Sequence, residues 1–234
     1  MGSRSVPVGG AAISGASEKL IESARLKAAD LLEASAADID FQHGRFHIVG
    51  TDRSASFKEV CLSAATGEEL SFDEAETFAP GQATYPNGTH VCELEIDPET
   101  GVIESLGFTV VDDFGKAINP LLLEGQVHGG IGQGLGQALL ESCAYDPATG
   151  QLLSASLMDY TLPRADNVPN IRFLRRDVPC TTNPLGIKGA GEAGAIGAPP
   201  AIVNAVVNAL TPHGIKHVDM PLTPDAVWRL SGGL

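Results

Sequence analysis

The sequence predicts an α+β fold of mixed hairpins and helices, and two observations support this fold class. The apolar stretches Thr89–Ile96 and Val102–Asp112 flank a turn at Asp97–Gly101, which is a clear hairpin signal. Helical patterns follow without the regular alternation of strand and helix that is typical of a parallel sheet. No repeat or linker-like stretch divides the chain, so residues 1–234 are interpreted as a single unit.

Upstream of the hairpin, the pattern predicts one helix and short strands. Ser5–Gly10 is loop-like, whereas Glu18–Ser35 is predicted as a helix because its apolar residues recur on one stripe. Phe46–Val49 is predicted as a strand, and Lys58–Leu62 as a further short element.

Downstream of the hairpin, Asn119 and Pro120 predict the start of a long helix, with Asn as its N-cap and Pro at its first position. This helix is expected to reach about Ser142. The elements predicted after it, in chain order, are a turn at Asp146–Gly150, strands at Gln151–Tyr160 and Ile171–Val178, a Gly- and Pro-rich loop from Pro184 to Pro200, a helix at Ala201–Leu210, a strand at Ile215–Val218 and a helix at Pro224–Leu230.

Composition limits the classes of partner. The chain has 29 acidic and 15 basic side chains, and its formal net charge of −14 repels nucleic acid and anionic lipid. It contains no apolar run of about 18 residues and no signal-peptide pattern, so no membrane insertion is expected and a cytoplasmic location is predicted. The four cysteines are far apart and the six histidines are scattered, so no protein-ligated metal site is predicted.

The helix after Asn119 carries six glycines, at positions 125, 129, 130, 132, 134 and 136. Each glycine costs about 1 kcal/mol of helix propensity relative to Ala, so some requirement must favour the missing side chains. Gln126, Gln133 and Gln137 share one face of this helix beside bare backbone, which suits a large polar ligand. A close helix–helix crossing explains the glycines equally well, and both interpretations stay open.

The stretch Gly186–Gly197 contains a single carboxylate, Glu192, among small apolar residues. Such surroundings disfavour the charged form of a carboxyl group, which is one way in which proteins prepare a general base. Lys188 is the nearby cation that would oppose this effect, and an ordinary exposed glutamate on a tight loop is the alternative. Gly189–Gly194 also matches G-x-G-x-x-G, but no hydrophobic strand precedes it, which disfavours a dinucleotide site.

Five segments occur in this order along the chain: GSRSVPVGGAAISGA, LLEGQVHGGIGQGLGQALLE, LMDYTLPRADNVP, NPLGIKGAGEAGAIGAPPAIVNAVVNAL and PLTPDAVWRL. Together they resemble the molybdenum-hydroxylase family, which includes xanthine dehydrogenase, aldehyde oxidase and the large subunit of aerobic carbon monoxide dehydrogenase. The resemblance covers nearly the whole chain and is nearest to the bacterial carbon-monoxide-dehydrogenase-like branch. It implies the C-terminal part of the family's molybdenum-cofactor-binding domain.

The resemblance also implies roles for individual positions. Glu192 matches the glutamate beside the metal, which in the family is the base that deprotonates the metal-bound hydroxyl group. Gln126 matches the glutamine that hydrogen-bonds the cofactor. The other positions implied in cofactor binding are Gly9, Gly10, Ala11 and Ala12, which match a stretch packed against metal and pterin, and Lys188, Gly189 and Gly191, which match the loop that presents the glutamate. No residue of the chain is expected to ligate molybdenum, because the pterin dithiolene does so in the family.

The family's large subunit carries an upstream half that has no counterpart here, including the residues that sort substrates. The chain is therefore expected to be a fragment or a split subunit that needs this N-terminal half as a partner. The resemblance further implies molybdopterin in its cytosine dinucleotide form, with iron–sulfur clusters and FAD on partner subunits.

The function implied by the resemblance is part of an oxidoreductase. The assembled enzyme would oxidise an aldehyde, an N-heterocycle or a CO-like small substrate, with water as the oxygen source. One alternative is a non-catalytic remnant that serves only assembly, and another, disfavoured by the sequence, is a nucleotide-dependent dehydrogenase.

Overall fold

The structure is a computed structural model that describes residues 2–64 and 73–232. The chain divides into two compact units, one formed by Val8–Gly81 and the other by Met1–Pro7 together with Gln82–Leu234. No linker-like stretch marks this division in the sequence. The interpretation of residues 1–234 as one portion of a cofactor-binding domain stays a prediction.

The unit Val8–Gly81 contains two helices and a small antiparallel sheet. Its elements are helix α1 (Ala11–Leu32), a 3-10 turn at Ala36–Asp38, strands β1 (Ile39–Gln42), β2 (Arg45–Ile48) and β3 (Ser54–Ser56), and helix α2 (Phe57–Ala64). The strands pair in the order β1-β2-β3. The loop predicted at Ser5–Gly10 is wrong, because that segment is a π-helical turn that continues into α1.

Phe46 is the centre of this unit's core. Its side chain is fully buried with the alanines of α1, and its ring centroid lies 4.7 Å from that of Phe41. Part of the apolar stripe predicted within Glu18–Ser35 is therefore the buried face of α1, but Leu31 of the stripe is exposed and the helix itself begins earlier, at Ala11.

The larger unit is built on a three-stranded sheet and three helices. Its elements are strands β4 (Asn87–Ile96) and β5 (Ile103–Asp113), helix α3 (Pro120–Leu139), strand β6 (Ile171–Arg175), helix α4 (Ala193–Leu210) with a 3-10 turn at Thr211–His213, and helix α5 (Pro224–Leu230). Strand β5 pairs antiparallel with β4 and parallel with β6. The predicted hairpin is confirmed, and its turn closes with Gly101 N donating to Asp97 O at 2.8 Å. The α+β class is confirmed.

Helices α3 and α4 form the main core of this unit with the sheet. Val127, Ile131 and Leu135 of α3 are buried against α4. The predicted N-cap is also confirmed, because Asn119 Oδ1 accepts a hydrogen bond from Leu122 N at 3.2 Å.

The loop predicted from Pro184 to Pro200 is wrong in its second half, because α4 begins at Ala193 and contains Pro199 and Pro200. Proline normally disrupts a helix interior. Here small residues allow α4 to pack closely along α3, and this tertiary packing outweighs the lost hydrogen bonds. By length and composition alone, Ala193–His213 would qualify as a membrane span, but core helices meet the same test and α4 packs against α3 and β4.

Two predicted strands are also wrong. In Gln151–Tyr160 only Leu152 pairs, in an isolated bridge with Tyr145 around the predicted turn. Ile215–Val218 has no strand partner, and its apolar residues pack directly on the core as irregular backbone. In Gln151–Tyr160, by contrast, the apolar residues Leu153, Leu157 and Met158 are exposed.

Candidate functional site

Glu192 lies at the N-cap of α4, with φ −108° and ψ −8°, and its side chain is exposed. The expectation that small apolar residues enclose it is therefore wrong for the described residues. An anionic group at this position faces the positive end of the helix dipole, which favours a carboxylate there.

Ser3 holds both the backbone and the side chain of Glu192. Its hydroxyl oxygen Oγ accepts a hydrogen bond from Glu192 N at 3.0 Å and donates one to Glu192 Oε2 at 3.1 Å. Ser3 has a φ of +55°, in the left-handed region that non-glycine residues seldom adopt. Sequence reasoning did not find this residue, although it belongs to the first of the five family segments.

Two glycines of the Glu192 loop make room for Ser3. A Cβ added to Gly189 would lie 2.1 Å from Ser3 O and 2.7 Å from Ser3 Cβ, so any side chain there would displace the serine. A Cβ added to Gly191 would lie 3.3 Å from Ser3 Oγ, a tight contact that a small shift can relieve. Gly189 is therefore required by contacts within the chain, and its predicted role in cofactor binding stays a prediction.

Lys188 points away from Glu192 and forms a nearly buried ion pair. Its ammonium nitrogen Nζ lies 2.6 Å from Asp113 Oδ2, and the two side chains are 12% and 11% exposed. Burial raises the pKa of the Asp113 carboxyl, but hydrogen bonds from Lys188, Gly115 and Val178 outweigh burial and hold the pKa below its usual value. Lys188 thus anchors the loop, and its ammonium group is neutralised by Asp113.

Asn183 fixes the start of the same loop. Its side-chain amide donates to Ile187 O at 2.8 Å and accepts from Ile187 N at 3.1 Å, which imitates a strand partner. Ile187 itself forms only an isolated bridge with Gly115. No strand therefore precedes Gly189–Gly194, and the dinucleotide fingerprint lacks its structural context.

Gln126 lies beside the Glu192 loop on the exposed side of α3. A Cβ added to Gly191 would be 3.8 Å from Gln126 Nε2, so the amide and the loop are near neighbours. Within residues 2–64 and 73–232, nothing hydrogen-bonds the Gln126 side chain, and it is free to bind a ligand.

Four of the six glycines of α3 divide between the two interpretations, and the other two, Gly132 and Gly136, lie near Val168 and near Glu141 and Pro163. Gly130 and Gly134 pack on α4, since an added Cβ would lie 2.8 Å from Ala195 N and 2.7 Å from Ala198 Cβ, respectively. At Gly125 and Gly129 an added Cβ would meet nothing within 4 Å. The helix crossing therefore explains some of the glycines, while Gly125 and Gly129 leave bare backbone on either side of Gln126.

Gly9, Gly10, Ala11 and Ala12 belong to the unit Val8–Gly81, where they join the π-helical turn to α1. Ala11 is buried in that unit, whereas Gly9 is exposed and an added Cβ there would meet no atom within 4 Å. Their predicted contact with the cofactor stays a prediction.

The larger unit therefore brings together a held carboxylate, an unpaired amide and open glycine backbone. Among the described residues, no group of three or more His, Cys, Asp or Glu side chains could hold a metal ion. The arrangement can accept a proton at Glu192 and hydrogen-bond a polar ligand at Gln126.

Comparison with known proteins gives a consistent result. The model of the molybdopterin cofactor-binding domain matches residues 1–169. The carbon monoxide dehydrogenase large chain of Hydrogenophaga pseudoflava is 36% identical over 97% of this chain, and the nicotine 6-hydroxylase large subunit of Paenarthrobacter nicotinovorans is 33% identical over 100% of it. The structure of quinoline 2-oxidoreductase from Pseudomonas putida 86 superposes with a TM-score of 0.87, at 36% identity over 98% of this chain.

The chain spans only part of these relatives. It corresponds to 29% of the carbon monoxide dehydrogenase chain, 30% of the nicotine 6-hydroxylase subunit and 30% of the quinoline 2-oxidoreductase chain. Gln126 and Gly9–Ala12 lie inside the matched range 1–169, and Glu192 lies beyond it. The alignment with the nicotine 6-hydroxylase subunit nevertheless includes Glu192, because it covers the whole chain.

Proposed function

This chain belongs to the molybdopterin cofactor-binding domain family of the molybdenum hydroxylases, and on that premise we propose that it contributes the catalytic base and part of the cofactor-binding surface to an oxidoreductase. Because the chain spans about three-tenths of the length of its relatives, the rest of the active site is supplied by the remainder of the subunit. The proposed partner is therefore the N-terminal half of the family's molybdopterin subunit.

The position of Glu192 is the observation that carries this proposal. Its carboxylate is held by Ser3 at the start of α4 and is in reach of solvent, and the free amide of Gln126 lies beside Gly191 of the same loop. In this role Glu192 accepts, at a carboxylate oxygen, the proton that must leave a water-derived oxygen before that oxygen attacks the substrate. Because the carboxylate is already fixed, it needs no reorientation during the reaction, and this lowers the activation free energy.

The surface around Gln126 fits a large cofactor. Gly125 and Gly129 expose backbone that any Cβ would cover, and the Gln126 amide offers two donors and an acceptor. The molybdenum–molybdopterin group, when bound, supplies the redox centre that takes up the electrons from the substrate. Gln126 and the stretch Gly9–Ala12 are the residues proposed to hold it.

Several finer assignments rest on the family resemblance. They are the cytosine dinucleotide form of the molybdopterin, iron–sulfur and FAD cofactors on partner subunits, and a cytoplasmic location. The substrate class is an aldehyde, an N-heterocycle or a CO-like small molecule, with water as the source of oxygen. The names of the relatives, which include carbon monoxide, nicotine and quinoline, support a small and electron-poor substrate.

The Glu192→Gln substitution in the assembled enzyme tests the base assignment. Removing the base is expected to lower kcat by about three orders of magnitude or more, while the molybdenum content stays unchanged. The matched control is Glu99→Gln, the same change on an exposed glutamate of the hairpin turn. Turnover of Glu192→Gln close to that of the wild type would remove Glu192 from the mechanism.

The alternative function is a non-catalytic remnant that serves assembly only. The open backbone at Gly125 and Gly129 disfavours it, because a purely structural helix would gain about 1 kcal/mol from alanine at each position. Molybdenum analysis of the chain purified with and without the N-terminal half of the subunit separates the two functions. A complex that forms without binding molybdenum would favour the remnant.

A further inference from the structure

Ser3 contacts Glu192 through a single oxygen atom that acts as both donor and acceptor. Glu192 N donates to Ser3 Oγ at 3.0 Å, and Ser3 Oγ donates to Glu192 Oε2 at 3.1 Å. We propose that Ser3 is a positioning residue for Glu192, which fixes the direction of the carboxylate through its hydroxyl group. This inference rests on the proposed function of Glu192 as the base.

The donor and acceptor inventory of a serine explains why the contact is directional. A hydroxyl group has one proton and two lone pairs, and it rotates to suit its partners. Here the amide of Glu192 occupies the acceptor side, so the hydroxyl proton is directed to the carboxylate of the same residue. One side chain thereby fixes the backbone of Glu192 and orients its carboxylate.

The backbone of Ser3 is held in an unfavourable conformation to make this contact. A φ of +55° costs a non-glycine residue on the order of 1 kcal/mol, and such strain persists only where the surroundings determine it. Gly189 leaves the space that Ser3 occupies, because a Cβ added to Gly189 would lie 2.1 Å from Ser3 O. Gly2 is also adjacent, since an added Cβ there would lie 2.6 Å from Glu192 Oε1.

Holding the backbone alone would not need the second hydrogen bond. Glu192 is itself the N-cap residue of α4, and its amide is already paired once it donates to Ser3 Oγ. The donation to Oε2 adds nothing to this backbone contact and acts only on the carboxylate. The two roles can therefore be separated by experiment.

The first test uses Ser3→Ala in the assembled holoenzyme, with Ser3→Gly as a second variant because glycine accepts the positive φ without strain. Both remove the hydroxyl group. We expect kcat to fall by about ten- to a hundredfold, with KM and molybdenum content within about twofold of the wild type. The control is Ser17→Ala, in which an exposed hydroxyl bonded to Ile13 O is removed from the surface of α1.

The second test measures amide hydrogen exchange at Glu192. Loss of the acceptor is expected to speed exchange of the Glu192 amide by about three- to tenfold in Ser3→Ala, as expected for one hydrogen bond. Glu192→Gln keeps the backbone amide and should keep its protection while losing turnover. Faster exchange with unchanged kcat would show that Ser3 holds only the backbone of Glu192, and would overturn the inference.

The double variant Ser3→Ala/Glu192→Gln distinguishes this inference from the proposed function. If Ser3 acts through the carboxylate, the double variant has the same residual turnover as Glu192→Gln alone. If turnover of the double variant were ten- to a hundredfold lower than that of Glu192→Gln, Ser3 would act elsewhere, and this result would also overturn the inference. Normal turnover of Glu192→Gln would instead overturn the proposed base, whatever Ser3→Ala does.

Discussion

The two glycine-rich segments of the larger unit use glycine in different ways. In Gly186–Gly197 every glycine contacts another part of the chain, as at Gly197, where an added Cβ would lie 2.5 Å from the ring of His90. In α3, Gly130 packs on α4 in the same manner, but Gly125 and Gly129 face open space. Glycine content alone therefore does not mark a ligand surface, because most of these glycines are explained by close packing within the chain.

The largest effect on stability is expected at the ion pair that anchors the Gly186–Gly197 segment. Asp113→Asn leaves the Lys188 ammonium without its counter-ion in a nearly buried position, and should lower the free energy of unfolding at pH 7 by about 3 kcal/mol. Urea unfolding measures this loss. The control is Asp177→Asn, whose more exposed pair with Arg175 should cost less than about 1 kcal/mol.

The pH dependence of the same variant sharpens this prediction. The folded-state pKa of Asp113 lies below its usual value, so its contribution to stability is complete above about pH 5 and is lost as the pH falls through the folded pKa. The difference between wild type and Asp113→Asn should therefore shrink on acidification. An equal difference at pH 7 and at pH 3 would contradict the assigned ion pair.

The next largest effect separates two adjacent glycines of α3. Gly130→Ala places a Cβ within 3 Å of α4 backbone on both Gly194 and Ala195, and should lower the free energy of unfolding by about 2 kcal/mol. Gly129→Ala adds its methyl group to open space and should raise that free energy by about 0.5–1 kcal/mol. Thermal unfolding of both variants checks the sign. Equal changes in the free energy of unfolding of the two variants would contradict the distinction between packed and open glycines.

The smallest effect on stability, and a selective one on the cofactor, is expected at Gln126. Gln126→Ala removes an exposed side chain without a partner and should change the free energy of unfolding by less than about 0.5 kcal/mol. Molybdenum content or turnover of the assembled enzyme should nevertheless fall. Gln82→Ala removes an exposed amide outside α3 and is the control. Equal molybdenum content and kinetics in both variants would contradict the predicted role of Gln126.

The elements that the sequence predicted well are those with local signals. The Asp97–Gly101 turn, the Asn119 cap and the Pro224–Leu230 helix depend on residues close in sequence, and all three are confirmed. The start of α4 was missed because it depends on tertiary packing against α3, which outweighs two prolines. Strands β1 and β3 were missed because they are only four and three residues long.

The same contrast applies to the site. Glu192 stood out as the single carboxylate of its loop, and Gln126 through the family resemblance, and the structure places Gln126 beside that loop. Ser3 has no such local signal, since its role depends on a residue at the other end of the sequence. The direction of Lys188 was also not predictable, because Asp113 lies in a strand far from it along the chain.

The contact between Ser3 and Glu192 has a consequence for folding. The two residues are separated by 189 positions, so their hydrogen bonds close a very long loop. Closing such a loop costs chain entropy, and this cost is offset only after the intervening sheet and helices have packed. Contacts of this kind therefore form late in folding. The Glu192 carboxylate is therefore oriented only once the chain has folded completely, so the chemistry of this carboxylate depends on the complete fold.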